Sequence, residues 1–299
     1  MDALQPLLGT TLVLVAHPDD EVIGFGALLQ RMKQAVVVFA TDGAPRDPYF
    51  WQPYGSRHAY AEIRRQEAQK ALAIAGAQPV FLADRVEDGI ADQELFRRLP
   101  QAIKATEEVV AQVQPDCLLT LSYEGGHPDH DACCFIAAQV GKARRLSVWE
   151  SPLYHCHPDG SGAVQIFPRH TGQEVDFKVE GEALDKKLQM FHTYKSQQLV
   201  IDGFRPDMEQ FRPIANYDFT QPPLPCKLNY ELWQWPMTGK EVAEAFAAYL
   251  LSNPEPAKRH LIHPEPATPL LLNPEFVKRE RDPYHHEGSE GTRNKKAET

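Results

Sequence analysis

The sequence predicts an α/β fold: a Rossmann-like, mostly parallel sheet with helices on both faces, followed by an irregular C-terminal extension. Two observations predict it. Short β-branched runs recur through the first 150 residues, each too short for a helix and apolar on both faces, as a buried parallel strand must be. Between them lie longer stretches whose apolar residues recur at helical spacing.

The elements follow in order. Residues 11–16 (TLVLVA) read as the first strand. Asp19 and Asp20 then sit where they can cap a helix over about 21–33, with Val22, Leu28, Leu29 and Met32 as its apolar stripe. Residues 35–40 (AVVVFA) form the second strand, ending in Thr41-Asp42-Gly43. A helix over 56–75 turns Ile63, Ala71, Leu72 and Ile74 inward and stops at Gly76. A third strand covers 79–83, and a helix over 92–113 is interrupted or bent near Pro100. Residues 116–122 (DCLLTLS) give a fourth strand, then a Gly-Gly loop, a helix over 130–142 and a fifth strand over 146–150.

After Ser151 the pattern loosens. Residues 175–179 fit an antiparallel edge strand, and 182–194 and 240–251 fit helices. The stretch 203–236 is rich in proline and aromatic residues and reads as packed but irregular. One domain is expected over 1–252, with a Pro-rich, partly disordered tail over 253–299.

Composition narrows the function. The chain of 299 residues is 42% hydrophobic and 24% charged, with a net charge of -10. An acidic surface repels polyphosphates, so nucleic acid is not an expected partner. No apolar run approaches the ~18–20 residues that span a bilayer, and the N-terminus lacks the basic region of a signal peptide. Five cysteines (Cys117, Cys133, Cys134, Cys156, Cys226) with no CxxC pair signal neither a disulfide framework nor a thiolate zinc site, which points to the cytoplasm. Walker and GxGxxG phosphate loops are absent; Gly24-Phe25-Gly26 lacks the third glycine.

In an open parallel sheet ligands bind beyond the carboxyl ends of the strands. Two polar clusters fall there: Ala16-His17-Pro18-Asp19-Asp20-Glu21 after the first strand, and Gly126-His127-Pro128-Asp129-His130-Asp131 after the fourth. Either HPD alone is a turn and helix cap. Two of them at corresponding strand ends point to a divalent metal, which needs ligands converging from separate segments and an open coordination position. One turn brings His17 and Asp20 onto one ion, and His130 closes the site from the other loop.

These strings resemble the PIG-L/LmbE family of metal-dependent de-N-acetylases, whose hallmarks AHPDDE and HPDH stand unaltered at 16–21 and 127–130. Looser matches are Thr41-Asp42-Gly43, Arg64-x-x-Glu67 and Tyr194-x-Ser196-Gln197; the resemblance runs over about 8–200. It implies a zinc ion, or another divalent metal such as Fe2+, held by His17, Asp20 and His130. It further implies Asp19 as general base toward a metal-bound water, a protonated His127 at the reacting carbonyl, and Asp129 as the partner that orients His127. Glu21 is expected to cap the helix or support a ligand. Arg64 and the Asp88-Gly89 turn become candidates to hold sugar hydroxyls or a neighbouring anionic group, and Trp51, Tyr54 and Tyr60 an aromatic wall or a lid. Tyr194 fits core or cleft, and His155, His157, His170 and His192 read as ordinary histidines.

The activity so implied is removal of acetyl from an N-acetylglucosamine-type amino sugar in a small glycoside, glycolipid precursor or glycosylated metabolite. Two other readings stay open. Two histidines and a carboxylate also form the facial triad of a non-haem iron oxygenase, though Asp19 beside a ligand suits hydrolysis. A catalytically inactive sugar-binding protein is the other, weakened by the intact set of hallmark residues.

Overall fold

A computed structural model describes residues 2–254; the expected tail, from Glu255 onward, lies outside the described residues. The strands are β1 (Thr10–Val15), β2 (Gln34–Phe39), β3 (Gln78–Phe81), β4 (Cys117–Leu121), β5 (Ser147–Ser151), β6 (Tyr154–Cys156), β7 (Gly162–Val164), β8 (Val175–Lys178) and β9 (Met208–Pro213). The helices are α1 (Asp20–Phe25), α2 (Pro48–Trp51), α3 (Arg57–Ala75), α4 (Leu99–Val113), α5 (Pro128–Arg144), α6 (Gly181–Phe191), α7 (Gln198–Ile201), α8 (Asn229–Leu232) and α9 (Gly239–Ser252).

One seven-stranded sheet runs in the order β3-β2-β1-β4-β5-β9-β8. Its first five strands are parallel, with Val13 opposite both Val37 and Leu119, while β9 and β8 add on antiparallel. The apolar runs are buried on both faces, which is why they carry no alternation. The crossovers put α1 and α3 on one face, where α6 packs on both, and α4 and α5 on the other, where α9 joins them. Chain order reverses between β1 and β4, so the crevice beyond their carboxyl ends is the topological switch point. Among the described residues no helix is long and apolar enough to cross a membrane.

Three local differences from the sequence reading have physical causes. The helix expected over 21–33 is only α1 followed by a 3-10 turn at Leu29–Arg31. In a continuous helix the Ala27 N–H would bond the Ile23 carbonyl. Here Lys187 donates to that carbonyl (3.1 Å), while Glu209 accepts from the N–H groups of Ala27 (2.7 Å) and Leu28 (3.0 Å). Lys187 and Glu209, both fully buried and 2.7 Å apart, are thus spliced into the helical ladder. The segment 92–113 is interrupted rather than bent near Pro100: α4 begins only at Leu99, after a 3-10 turn at Leu95–Arg97, and Pro100 stands in its first turn, where its missing N–H costs nothing. Within the expected irregular segment lies β9, whose charges disguise a buried strand; Glu209 pairs with Lys187, and Arg212 with Glu150 at 2.7 Å.

Replacing Lys187 would leave Glu209 buried with no cation. Lys187→Met is expected to cost about 3–5 kcal/mol of folding stability, read by chemical denaturation. A loss below about 1 kcal/mol would show that the pair does not hold the break.

Candidate active site

The loop after β1 folds back on itself. Asp20 Oδ2 accepts from the backbone N–H groups of Ala16 (3.1 Å) and His17 (2.8 Å), which turns its other oxygen toward the loop after β4. Asp19 is held at φ +144°, a region that residues with a Cβ rarely enter. Such strain costs on the order of 1–3 kcal/mol and persists only where surroundings enforce it. Several groups enforce it. Glu21 accepts from the Asp19 N–H at 3.0 Å and also takes a hydrogen bond from the buried Tyr194 hydroxyl. Arg64 donates to the Pro18 and Gly43 carbonyls and pairs with Asp19 at 3.0 Å. Gly43 (φ +67°) permits this approach, since a Cβ there would meet Pro18 at 2.8 Å and the Arg64 guanidinium at 3.1 Å.

The second loop is wired as firmly. Asp131 accepts from the N–H groups of Glu124 (3.1 Å) and Gly125 (3.0 Å), and Glu124 from those of Leu153 (2.7 Å) and Tyr154 (3.0 Å). Gly126 passes so close to the Tyr154 carbonyl that a Cβ would stand 1.9 Å from it. His127 caps α5, its Nδ1 accepting the Asp129 N–H at 3.1 Å. His130 follows one turn in.

The two loops meet. His17 Nδ1 lies 3.3 Å from His130 Nε2 and 3.5 Å from Asp20 Oδ2, and His130 Nε2 lies 3.2 Å from Asp20 Oδ1. Three ligands about 2.0–2.1 Å from a tetrahedral ion are roughly 3.3–3.4 Å apart, so the pairwise spacings match those around a zinc-sized cation, with His17 and His130 meeting different oxygens of Asp20; the nitrogens of His17, His127 and His130 also lie within 4.8 Å of one another. A second set shares His17: its Nε2 faces Asp92 (3.2 Å) and Asp129 (3.3 Å), and His127 Nε2 also faces Asp92 (3.3 Å). These carboxylates suit the supporting role, since an acceptor on Nε2 fixes the proton there and leaves Nδ1 as the ligand. The groups are all buried.

Electrostatics follow from that burial. Burial opposes a charge on His17, but Asp92, Asp129 and Asp20 outweigh it and raise its pKa well above the usual imidazole range. Burial would raise Asp20, yet His130 and His17 hold it well below the usual carboxylate range. Asp19 is pushed up to about 6 by burial, against the pull of Arg64. Burial lifts Glu21 to about 8. The field that favours a proton on His17 equally favours a metal cation.

Four expectations change. Asp129 does not orient the His127 ring through its carboxylate, which accepts from the N–H groups of Gln93 (2.6 Å) and Leu95 (3.0 Å) and faces His17. The carboxylate beside His127 is Asp92, a residue the sequence reading missed; it lies in the long segment between β3 and α4, bridged to Pro45 in the segment after β2, where no motif marks it. His127 is not set up to be protonated, because its Nδ1 is already an acceptor and burial together with His17 lowers its pKa. Asp88 is exposed on the turn closed by Gly89 and lies outside the cavity, so it is not placed to hold a substrate. Arg64 does reach the cavity, but its guanidinium is engaged by Asp19 and two carbonyls, which makes it a residue that positions Asp19.

The cavity over the cluster measures about 130 Å³. Phe50 and Tyr60 line it, whereas Trp51 and Tyr54 do not; Tyr54 stacks behind Tyr60. Tyr194 belongs to the core, and Ser196 and Gln197 tie its segment to Glu67 and Tyr60 on α3. Of the remaining histidines, His155 is buried beside Glu124, and His157, His170 and His192 are exposed. A larger cavity, about 610 Å³, lies behind α5 and contains none of these groups.

Residues 12–140 match the family model for PIG-L, GlcNAc-PI de-N-acetylase, and this span takes in both loops. This match covers less than half of the chain, and the part of the chain it takes in is similar to the PIG-L family. The chain is 31% identical over 134 residues to a probable N-acetyl-alpha-D-glucosaminyl L-malate deacetylase of Bacillus subtilis (strain 168), covering 41% of this chain and 56% of that protein. The chain thus spans little more than half the length of that relative. It is 24% identical over 245 residues to the 1D-myo-inositol 2-acetamido-2-deoxy-alpha-D-glucopyranoside deacetylase of Corynebacterium glutamicum (strain R), covering 72% and 83% of the two chains. A teicoplanin deacetylase solved in a zinc-inhibited form shares the fold, with a TM-score of 0.53 at 19% identity over 70% of this chain and 99% of that one.

Proposed function

We propose that this chain is a metal-dependent hydrolase of the PIG-L type that removes acetyl from an N-acetylglucosamine-type amino sugar in a small glycoside, glycolipid precursor or glycosylated metabolite. The observation that carries the reading is the meeting of His17, Asp20 and His130 at ligand spacing, with Asp19 in the same buried cavity. The curated relatives support it, since the names of both specify an N-acetylglucosaminyl conjugate as substrate. The catalytic domain in this reading is 1–252, and zinc is the expected ion.

Bound there, a divalent ion supplies Lewis-acid activation of a water and of the amide carbonyl. Asp19 accepts the proton released as the water attacks. Its strained backbone and its pairing with Arg64 fix where its carboxylate points, so that proton transfer needs no reorganisation. His127, with Nδ1 occupied by the Asp129 N–H, carries its proton on Nε2, 3.3 Å from the Asp92 carboxylate. That single N–H turns from Asp92 to the developing oxyanion as a hydrogen bond, so Asp92 holds the ring only in the absence of substrate. Asp19, the residue that gained a proton, returns it to the departing amine.

The test is a panel of N-acetylglucosamine conjugates incubated with metal-loaded and chelator-stripped full-length chain, followed as free acetate. Acetate release is expected only from the loaded protein, restored on adding back zinc or Fe2+. Equal release from stripped protein, or none from any conjugate, contradicts the reading.

A further inference from the structure

The cavity over the cluster is small. Sites that enclose a small molecule commonly measure about 300–1,000 Å³, so about 130 Å³ accommodates the acetamide and part of one ring and leaves the rest of a glycoside outside. A groove of about 420 Å³ opens beside it. The two share Phe50 and Asp92 as walls. They also meet through ring contacts: Trp235 stands edge-on to His127 with centroids 5.0 Å apart, and Trp233 lies 6.1 Å from Tyr154.

The groove is built around those tryptophans. Trp233 and Trp235 flank Gln234, which is held at φ +59° where the chain leaves α8, a position that ordinarily favours glycine. The Trp235 N–H bonds the Tyr230 carbonyl, so the strained turn is locked. Beneath it the Asn229 N–H bonds the Gly125 carbonyl, and Leu228 fills the space that a Cβ on Gly125 would take, which seats the platform on the loop that carries His127. Trp233 is nevertheless 49% exposed and Tyr49 across the groove 79% exposed, an unusual outlay of aromatic surface beside a polar site.

The polar lining selects what can rest there. Arg46 is paired through two nitrogens with Glu94, and Arg97 lies over the Phe96 ring and donates to the Gln93 carbonyl. Asp47, Asp92 and Glu94 outnumber these two cations, so the groove offers no net positive charge to an anion. Gln93 and Gln234 add neutral hydrogen-bonding amides at its edges. An apolar corner made by Trp233 and Trp235, whose ring planes are 53° apart, flanked by neutral donors and acceptors matches a second, uncharged, hydroxylated ring resting on one of them.

We infer that the Trp233–Trp235 groove is the subsite for the part of the substrate beyond the acetylated sugar, and that it takes a neutral hydroxylated ring rather than an acyclic anion. The inference rests on the proposed de-N-acetylation for the orientation of the substrate but not for the existence of the subsite.

The experiment has two arms on the metal-loaded full-length chain. The first compares kcat/KM for N-acetylglucosamine, for a neutral disaccharide carrying it, and for its conjugate with an acyclic dicarboxylate. The disaccharide is expected to exceed both others by about tenfold, and Trp233→Ala to erase that margin mainly through KM, with Trp233→Phe restoring part of it. The second arm needs no turnover: the same disaccharide without its acetyl group is titrated while intrinsic tryptophan fluorescence is read. A saturable change that Trp233→Ala weakens by about tenfold or more supports the subsite. Acetate release at equal kcat/KM for one and two rings, or preference for the dicarboxylate conjugate, overturns the subsite and leaves the hydrolase standing. A Trp233-dependent fluorescence change with no acetate from any conjugate does the reverse. Should Trp233→Ala fail to fold, Trp235→Ala carries the same comparison.

Discussion

Asp19→Asn is expected to slow acetate release by about 10²- to 10⁴-fold, the range over which a positioned acid–base group acts, while the protein keeps its metal. The substitution preserves shape and removes the proton acceptor. It is not a ligand in the arrangement described: its carboxylate pairs with Arg64, and the donors at ligand spacing are His17, Asp20 and His130. Loss of the negative charge leaves the buried Arg64 with Asp92, 4.0 Å away, as its remaining ion-pair partner, so a moderate fall in stability accompanies the loss of rate. Metal content by mass spectrometry, circular dichroism and kcat on one preparation separate these effects. Undiminished turnover removes Asp19 from the role of base.

His130→Ala is expected to weaken metal binding by at least about 100-fold, more than loss of a supporting residue costs, and to abolish turnover at stoichiometric metal. The ring meets Asp20 and His17 through Nε2, and its Nδ1 has no hydrogen-bond partner, so the substitution takes little from the fold beyond the site. Asp88→Ala, on the exposed turn outside the cavity, serves as the control and leaves metal content and rate unchanged. Stoichiometric metal in His130→Ala contradicts its assignment as a ligand.

What the sequence made legible was whatever depends on local pattern. Strands β1, β2 and β4 are mostly apolar because they are buried on both faces, and that pattern is visible residue by residue. The two HPD strings follow β1 and β4, neighbours at the switch point, so their convergence was readable once the sheet was. Hidden instead were features made by partners distant in sequence. Glu209 and Arg212 make β9 look like a loop until Lys187 and Glu150 are found beside them. Lys187 and Glu209 also end α1 early, which no capping residue announces. Asp92 carries no motif, and its function follows only from facing His17 and His127. Arg64 matched the family pattern, yet that match could not distinguish a guanidinium that meets substrate from one that holds Asp19. Trp233 and Trp235 fall beyond residue 140, where the match to the family model ends.

X-ray absorption at the metal edge of the zinc-loaded full-length chain tests the central claim most directly. The account predicts one ion per chain with a shell of nitrogen and oxygen donors at about 2.0–2.1 Å, including two imidazoles, and a shell that collapses when His17 or His130 is replaced. A sulfur donor at about 2.3 Å, or a shell that survives both replacements, would show that the loops at 16–21 and 127–130 do not close on a shared cation.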